Sequence, residues 1–200
     1  SLHLRKGRMA EALTHYPQAL AIAREMGNRR VEGNILDNLG SLHKEQGRMA
    51  QALTHYHQAL AIHREVGNRR GEGIVLGNLG DLLYNTGDLR AAEQQLQQAI
   101  EIGDETFPAA AGAFRGSLAL IRAQQGAFDE ARALLERGEP QVRGVYKLEL
   151  GKLLCKKARV EHLAGDPATA STALAEAESI DIDLGAGPAA ELGVALAEAR

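Results

Sequence analysis

The chain has no tryptophan, three phenylalanines, four tyrosines and one cysteine in 200 residues. Each scarcity excludes something. A sheet-based core draws on aromatic and β-branched side chains, and an aromatic share of 4% does not furnish one. A lone thiol, Cys155, cannot close an internal disulfide, which removes the disulfide-stapled scaffolds and fits a reducing, cytoplasmic compartment. No apolar run approaches the ~18–20 residues of a membrane-spanning helix, and no signal-peptide pattern opens the sequence. The net charge of −3 gives no electrostatic argument for nucleic acid or a membrane surface as partner. That charge is unevenly spread: residues 1–100 carry 12 basic and 10 acidic groups, residues 101–200 carry 11 and 16.

What is abundant is Ala, Leu, Gly and Arg, the small and straight-chain residues that suit closely packed helices. The preponderance of Ala, Arg and Gly over Lys and Asn also hints at a bacterial source. The sequence repeats itself. Residues 2–41 laid on 42–81 match at 28 of 40 positions without a gap, with Gly7-Arg8-Met9-Ala10 recurring as Gly47-Arg48-Met49-Ala50. Identity then fades while the period persists, since turn-type glycines fall at Gly7, Gly47, Gly87, Gly126 and Gly165. Self-similarity at this period signals a solenoid or an array.

Each unit reads as two helices. Leu36, Leu39, Gly40 and His43 lie at i, i+3, i+4 and i+7, one stripe of an amphipathic helix. Met49, Ala52, Leu53, Tyr56, Ala59, Leu60 and Ile62 form a wider stripe on the second helix. Gly67 is placed to end that helix and Asn68 to cap the next. In the degenerate half, glycine followed by proline marks the restarts: Gly103 then Pro108, Gly138 then Pro140, Gly165 then Pro167, Gly187 then Pro188. Pro17, well inside a second helix, predicts a kink.

The expected fold is all-α, a right-handed α-solenoid of antiparallel helix pairs with about five repeats and a C-terminal capping helix. As one array over 1–200, its divisions are a partial 1–28, then 29–67, 68–104, 105–139 and 140–186, with the cap over 187–200 carrying Leu192, Leu196 and Ala199 on one stripe. Ser1–Lys6 aligns with the last third of a first helix, which predicts an exposed apolar edge there and a longer parent protein.

Asn38-Leu39-Gly40-x-x-His43-x-x-x-Gly47-x-Met49-x-x-Ala52-x-x-x-Tyr56-x-x-Ala59-Leu60 resembles the tetratricopeptide (TPR) motif. Two departures stand out: His43 replaces the usual Tyr, and the period is 40 residues, not 34. The Gly-Asn-Arg-Arg-x-Glu-Gly linker is similar to the 40-residue subclass of spindle-orientation adaptors. It also resembles bacterial arrays attached to kinases, transcription regulators, NTPases and caspase-like proteases.

The resemblance implies a concave groove, lined by the first helix of each pair, that holds a peptide or a partner's helix. Its groove positions fall on Asp37, Ser41 and Lys44, then on Gly77, Asp81 and Tyr84. Further along they fall on Gly116, Leu120 and Ala123, and finally on Cys155, Arg159 and His162. Asp37/Ser41 and Gly77/Asp81 do not match the clamp that holds chaperone C-terminal carboxylates. Lys152, Lys156 and Arg159 form a cationic strip that suits either an acidic peptide or the acidic residues of the chain's own C-terminal part. Arg29, Arg30, Arg69 and Arg70 head successive first helices, where they either reach a partner or form salt bridges to Glu32 and Glu72. Asn38 and Asn78 either border the groove or bond the adjacent helix.

Catalytic and metal motifs are not expected, and no cofactor is. His55, His57 and His63 lack the i, i+4 spacing that aims two imidazoles at one ion. Cys155 and His162 sit two helical turns apart, ~10 Å along the axis, too far for a nucleophile and its base. No phosphate loop, nucleophile elbow or Cys-x-x-Cys occurs. The expected role is therefore a non-enzymatic scaffold for a protein or peptide partner, or else a sensing region of a larger bacterial regulator or enzyme. A hydrolase built on Cys155 is the third reading.

Overall fold

A computed structural model describes residues 2–185 and 191–199, with side-chain surroundings for these apart from 2–10, 12, 13 and 191. The described residues form helices and no strand. They run α1 (Leu2–Glu25), α2 (Arg29–Glu45), α3 (Met49–Glu65), α4 (Arg69–Thr86), α5 (Leu89–Thr106), α6 (Pro108–Gln124), α7 (Phe128–Val142), α8 (Lys147–Leu163), α9 (Pro167–Leu184) and α10 (Glu191–Ala199). Residues 3–106 belong to one compact unit and residues 107–200 to another.

Local sequence explains most boundaries. The Asn28 and Asn68 side chains accept from the backbone N–H of Val31 and Gly71, capping α2 and α4. Asp166 does the same for α9 through Thr169 N–H. Pro108 and Pro167 stand in the first turn of α6 and α9, where a missing N–H costs nothing. The chain reverses after α4 at Gly87, whose φ of 88° is closed to most side chains.

Three expected boundaries are corrected. Gly7 is no turn: α1 runs from Leu2 to Glu25 through both Gly7 and Pro17. Gly103 likewise lies inside α5, which continues to Thr106. Gly138 and Pro140 do not restart a helix either, because both lie within α7 and the chain turns at Gly144, φ 82°. Gly138 serves a packing purpose instead. A Cβ there would stand 2.8 Å from the Gly112 carbonyl oxygen, so α6 and α7 meet backbone to backbone. The expected Gly187–Pro188 restart lies outside the described residues, as do the side chains of the predicted apolar edge at Ser1–Lys6.

In the first unit, α2 pairs with α3 and α4 with α5, and α4 also packs on α3 and α2. Tyr56 and Leu96 are wholly buried across from glycines. A Cβ on Gly40 would fall 2.5 Å from the Tyr56 ring, and one on Gly80 would fall 2.7 Å from Leu96 Cγ. The glycine of the motif is thus a socket for the bulky residue of the paired helix. In the second unit α6 pairs with α7, α8 with α9, and α8 packs on α6. The short α10 closes this unit against α8 and α9, with Leu192 and Leu196 buried. Gly151 provides its socket, since a Cβ there would fall 2.7 Å from Leu192.

Candidate partner-binding face

The candidate groove residues sit on the first helix of each pair, α2 and α4 in one unit and α8 in the other. Asp37 on α2 is half-buried and accepts a 2.9 Å hydrogen bond from Asn78 Nδ2 on α4. Burial raises its carboxyl pKa above the ordinary range, against the opposing effects of the Asn78 bond and the Lys44 charge. Ser41 Oγ lies 3.1 Å from the Tyr56 hydroxyl, which joins α2 to its own partner helix. Lys44, Asp81 and Tyr84 are half-buried, and Asn38 is exposed. Burial raises the Tyr56 phenol pKa, and the charges of Asp37, Asp81 and Glu45 add to that effect.

The two asparagines therefore divide. Asn78 bonds the adjacent helix, while Asn38 is exposed. The arginine pairs divide in the same way. Glu32, 4% exposed, is gripped by Arg24 Nε at 2.9 Å and Arg29 at 2.5 Å. One repeat later Glu72 receives Arg64 Nε at 2.9 Å and Arg69 at 2.7 Å. Burial acts to raise both carboxyl pKa values, and the paired arginines overcome it and hold them below the usual range. Arg29 also reaches Glu65 on α3 at 2.5 Å. Arg30 and Arg70 stay exposed. The sequence-level signal for the grip is an arginine eight residues before each glutamate, at Arg24 and Arg64, which the linker pattern by itself does not single out.

Histidine spacing concealed another contact. His43 and His55 stack across the α2–α3 hairpin with ring centroids 5.2 Å apart and planes 11° apart. The Nδ1 atoms of both are buried without a hydrogen-bond partner. Burial lowers the His43 pKa, helped by the charges of His55 and Arg48. His63, 1% exposed, fills space left by Gly33 and Gly71, and Asn68 lies 3.1 Å from its Nδ1. Among the described residues no group of three or more His, Cys, Asp or Glu could hold a metal ion.

On α8, Lys152 meets Glu149 at 2.9 Å and Arg159 approaches Glu198 of α10 at 3.9 Å. Lys156 reaches across to α6, with Nζ 2.6 Å from Ser117 Oγ and 3.5 Å from the Ala113 carbonyl. Gly116, Leu120 and Ala123 on α6 are buried. Cys155 is 2% exposed, and burial pushes its thiol up to about 11, the reverse of an activated nucleophile. His162 is exposed.

A family model described as a MalT-like TPR region matches residues 1–186. The chain belongs to this TPR family. The sockets at Gly40 and Gly80 and the helix hairpins are its architecture, and the all-α TPR solenoid is shared by solved structures. BtubC (BKLC) from P. vanneervenii superposes with a TM-score of 0.71 at 21% identity, over 92% of this chain and 77% of that one. A putative kinesin light chain with nearly identical TPR-like repeats from Podosopora anserina gives 0.62 at 18% identity, over 92% of both chains. A point variant of that protein gives 0.64 at 18%, over 92% of this chain and 91% of that one. At such identities the likeness speaks of fold alone. No curated protein matches. TPR regions are typically non-catalytic and serve interaction or regulation. No described helix is long and apolar enough to cross a membrane.

Proposed function

We propose that this TPR array is a protein-interaction scaffold that docks a peptide or a partner's helix on the face of its first helices. The observation that carries the reading is the polar inner column of those helices. Asp37, Ser41 and Lys44 on α2 and Asp81 and Tyr84 on α4 remain half-buried, with Asn38 exposed next to Asp37 and Arg70 exposed in the first turn of α4, where a merely structural face would be closed by apolar packing. Lys152, Lys156 and Arg159 present the same kind of surface on α8 of the second unit. Arg69 contributes partly, being tied to Glu72 while half-exposed.

A photo-crosslinking amino acid placed at Tyr84, Ser41 or Arg159, and for comparison at exposed Thr54 on α3, tests the reading. Partner adducts should form at the first three positions. Adducts equal in yield at Thr54 would overturn it.

A second reading draws support from the family match: the array is the sensing part of a larger regulator, holding an effector domain until a partner or ligand arrives. The MalT-like description of residues 1–186 favours it. The encoding reading frame decides, because an adjoining kinase, protease or DNA-binding domain supports it and an isolated array removes it.

A further inference from the structure

The second unit holds a cation whose hydrogen-bond partners are both neutral. Lys156 projects from α8, and its ammonium donates to Ser117 Oγ at 2.6 Å and toward the Ala113 carbonyl at 3.5 Å, both on α6. Its stem crosses between the helices because Gly116 has no side chain, and a Cβ there would lie 3.1 Å from Lys156 Cδ. Ser117 is 3% exposed while Lys156 is half-buried, so the ammonium is anchored on a buried hydroxyl of a residue that is itself only partly covered. An ammonium has three donors, and two are used here.

No carboxylate of the described residues forms an ion pair with it. Helix α6 contains neither Asp nor Glu. The two glutamates of α8 are engaged elsewhere, Glu149 by Lys152 at 2.9 Å and Glu161 by Arg132 at 2.7 Å. Glu198 of α10 faces Arg159. Against those two glutamates, α8 carries Lys147, Lys152, Lys156, Lys157 and Arg159. A partly desolvated charge held by neutral acceptors gains most from an incoming opposite charge, and charge-assisted hydrogen bonds are the stronger ones.

We propose that the α6–α8 face takes an acidic peptide segment, with Lys156 donating to a side-chain carboxylate of the segment. The proposal deepens the peptide-docking reading and rests on it. Lys152 and Arg159, four residues before and three after Lys156, place positive charge on either side, so carboxylates spaced by one helical turn or along an extended stretch are favoured. Asp37 and Asp81, on the first helices of the other unit, make no such demand.

Random twelve-residue peptides displayed on phage and panned against the full chain test this. The expected result is enrichment of Asp and Glu. Synthetic copies of the enriched peptides should bind the Lys156→Gln chain about tenfold or more weakly, the scale of one lost charge-assisted bond. The Lys156→Arg chain should keep most of the affinity. Replacing the peptides' Asp and Glu by Asn and Gln should weaken binding to the unaltered protein equally, a measurement that needs no folded variant. Enriched peptides that are neutral or basic, or acidic peptides indifferent to Lys156→Gln, overturn the acidic assignment and leave peptide docking standing. Recovery no better than from a protein-free surface overturns both.

Discussion

Asn78 on α4 donates a 2.9 Å hydrogen bond to Asp37 on α2, joining two helices through residues 41 positions apart. Lys156 and Ser117 make the corresponding rung between α8 and α6, 39 positions apart. Both rungs run from the first helix of one pair to the first helix of the pair before it. Side chains at the candidate docking positions thus also tie neighbouring repeats together.

The Asp37 rung has a pH signature. Burial raises the Asp37 pKa above its usual value of 3.8. A raised acid binds its proton more tightly folded than unfolded, so its contribution is most favourable in acid and declines as pH rises through the raised value. Asp37→Asn keeps an acceptor for Asn78 without the charge and should remove that decline, leaving the variant at least as stable at pH 7. Asn78→Ala should cost ~1–2 kcal/mol by orphaning a half-buried acceptor. Urea unfolding between pH 4 and pH 7 measures both.

Glu72 predicts the opposite slope. Its pKa is lowered from 4.5 because Arg64 and Arg69 outweigh the effect of burial. Its stabilisation is present above that unfolded value and is lost as pH falls toward the folded one. Glu72→Gln should cost ~1–2 kcal/mol at neutral pH, a figure kept modest because both arginines are half-exposed and resolvate. The difference from the unaltered chain should vanish in acid. A gap in urea midpoint that does not narrow as pH falls below 4.5 would refute this account.

The stacked histidines predict sensitivity in a milder range. The His43 pKa is lowered from 6.5, first by burial and then by the charges of His55 and Arg48. The unfolded chain therefore takes up protons that the folded chain refuses, and stability falls as pH drops below 6.5 toward the folded value. His43→Tyr, which restores the residue usual in the motif, should flatten thermal midpoints between pH 7.5 and 5.5. An unchanged slope would show that the pair is not its source.

Gly138 tests packing against turn formation. A Cβ there meets the Gly112 carbonyl at 2.8 Å and Arg115 Cβ at 3.1 Å, and a backbone oxygen cannot step aside cheaply. Gly138→Ala should cost ~1–3 kcal/mol as an overpacked contact. Gly126→Ala, at φ 79° with nothing within 4 Å of a Cβ, should cost ~1 kcal/mol through backbone strain alone. Chemical denaturation ranks the two. Equal costs would argue that α6 and α7 do not meet as described.

The helix pairs and their period were legible because the signals that make them are local. Asn68 caps its own helix, Pro108 and Pro167 open theirs, and Gly47 and Gly87 lie where the pattern places turns. Gly138 and Pro140 misled for the same local reason. Glycine is chosen both where φ must be positive and where backbones must touch, and only the partner helix distinguishes the two.

Sequence by itself determined the fold class, the repeat and the candidate docking residues, since periodicity and motif spacing report which residues share a helix face. Tertiary structure decided what those residues do there. It assigned Arg29 and Arg69 to Glu32 and Glu72, Asn78 to Asp37, His43 to His55 and Lys156 to Ser117. Arg29–Glu32 and Arg69–Glu72 pair three residues apart on one helix, whereas the other three pairings join different helices at separations from 12 to 41 residues. Such partners are selected by packing and by the cost of leaving a buried polar group alone, and neither is written in the spacing of one helix.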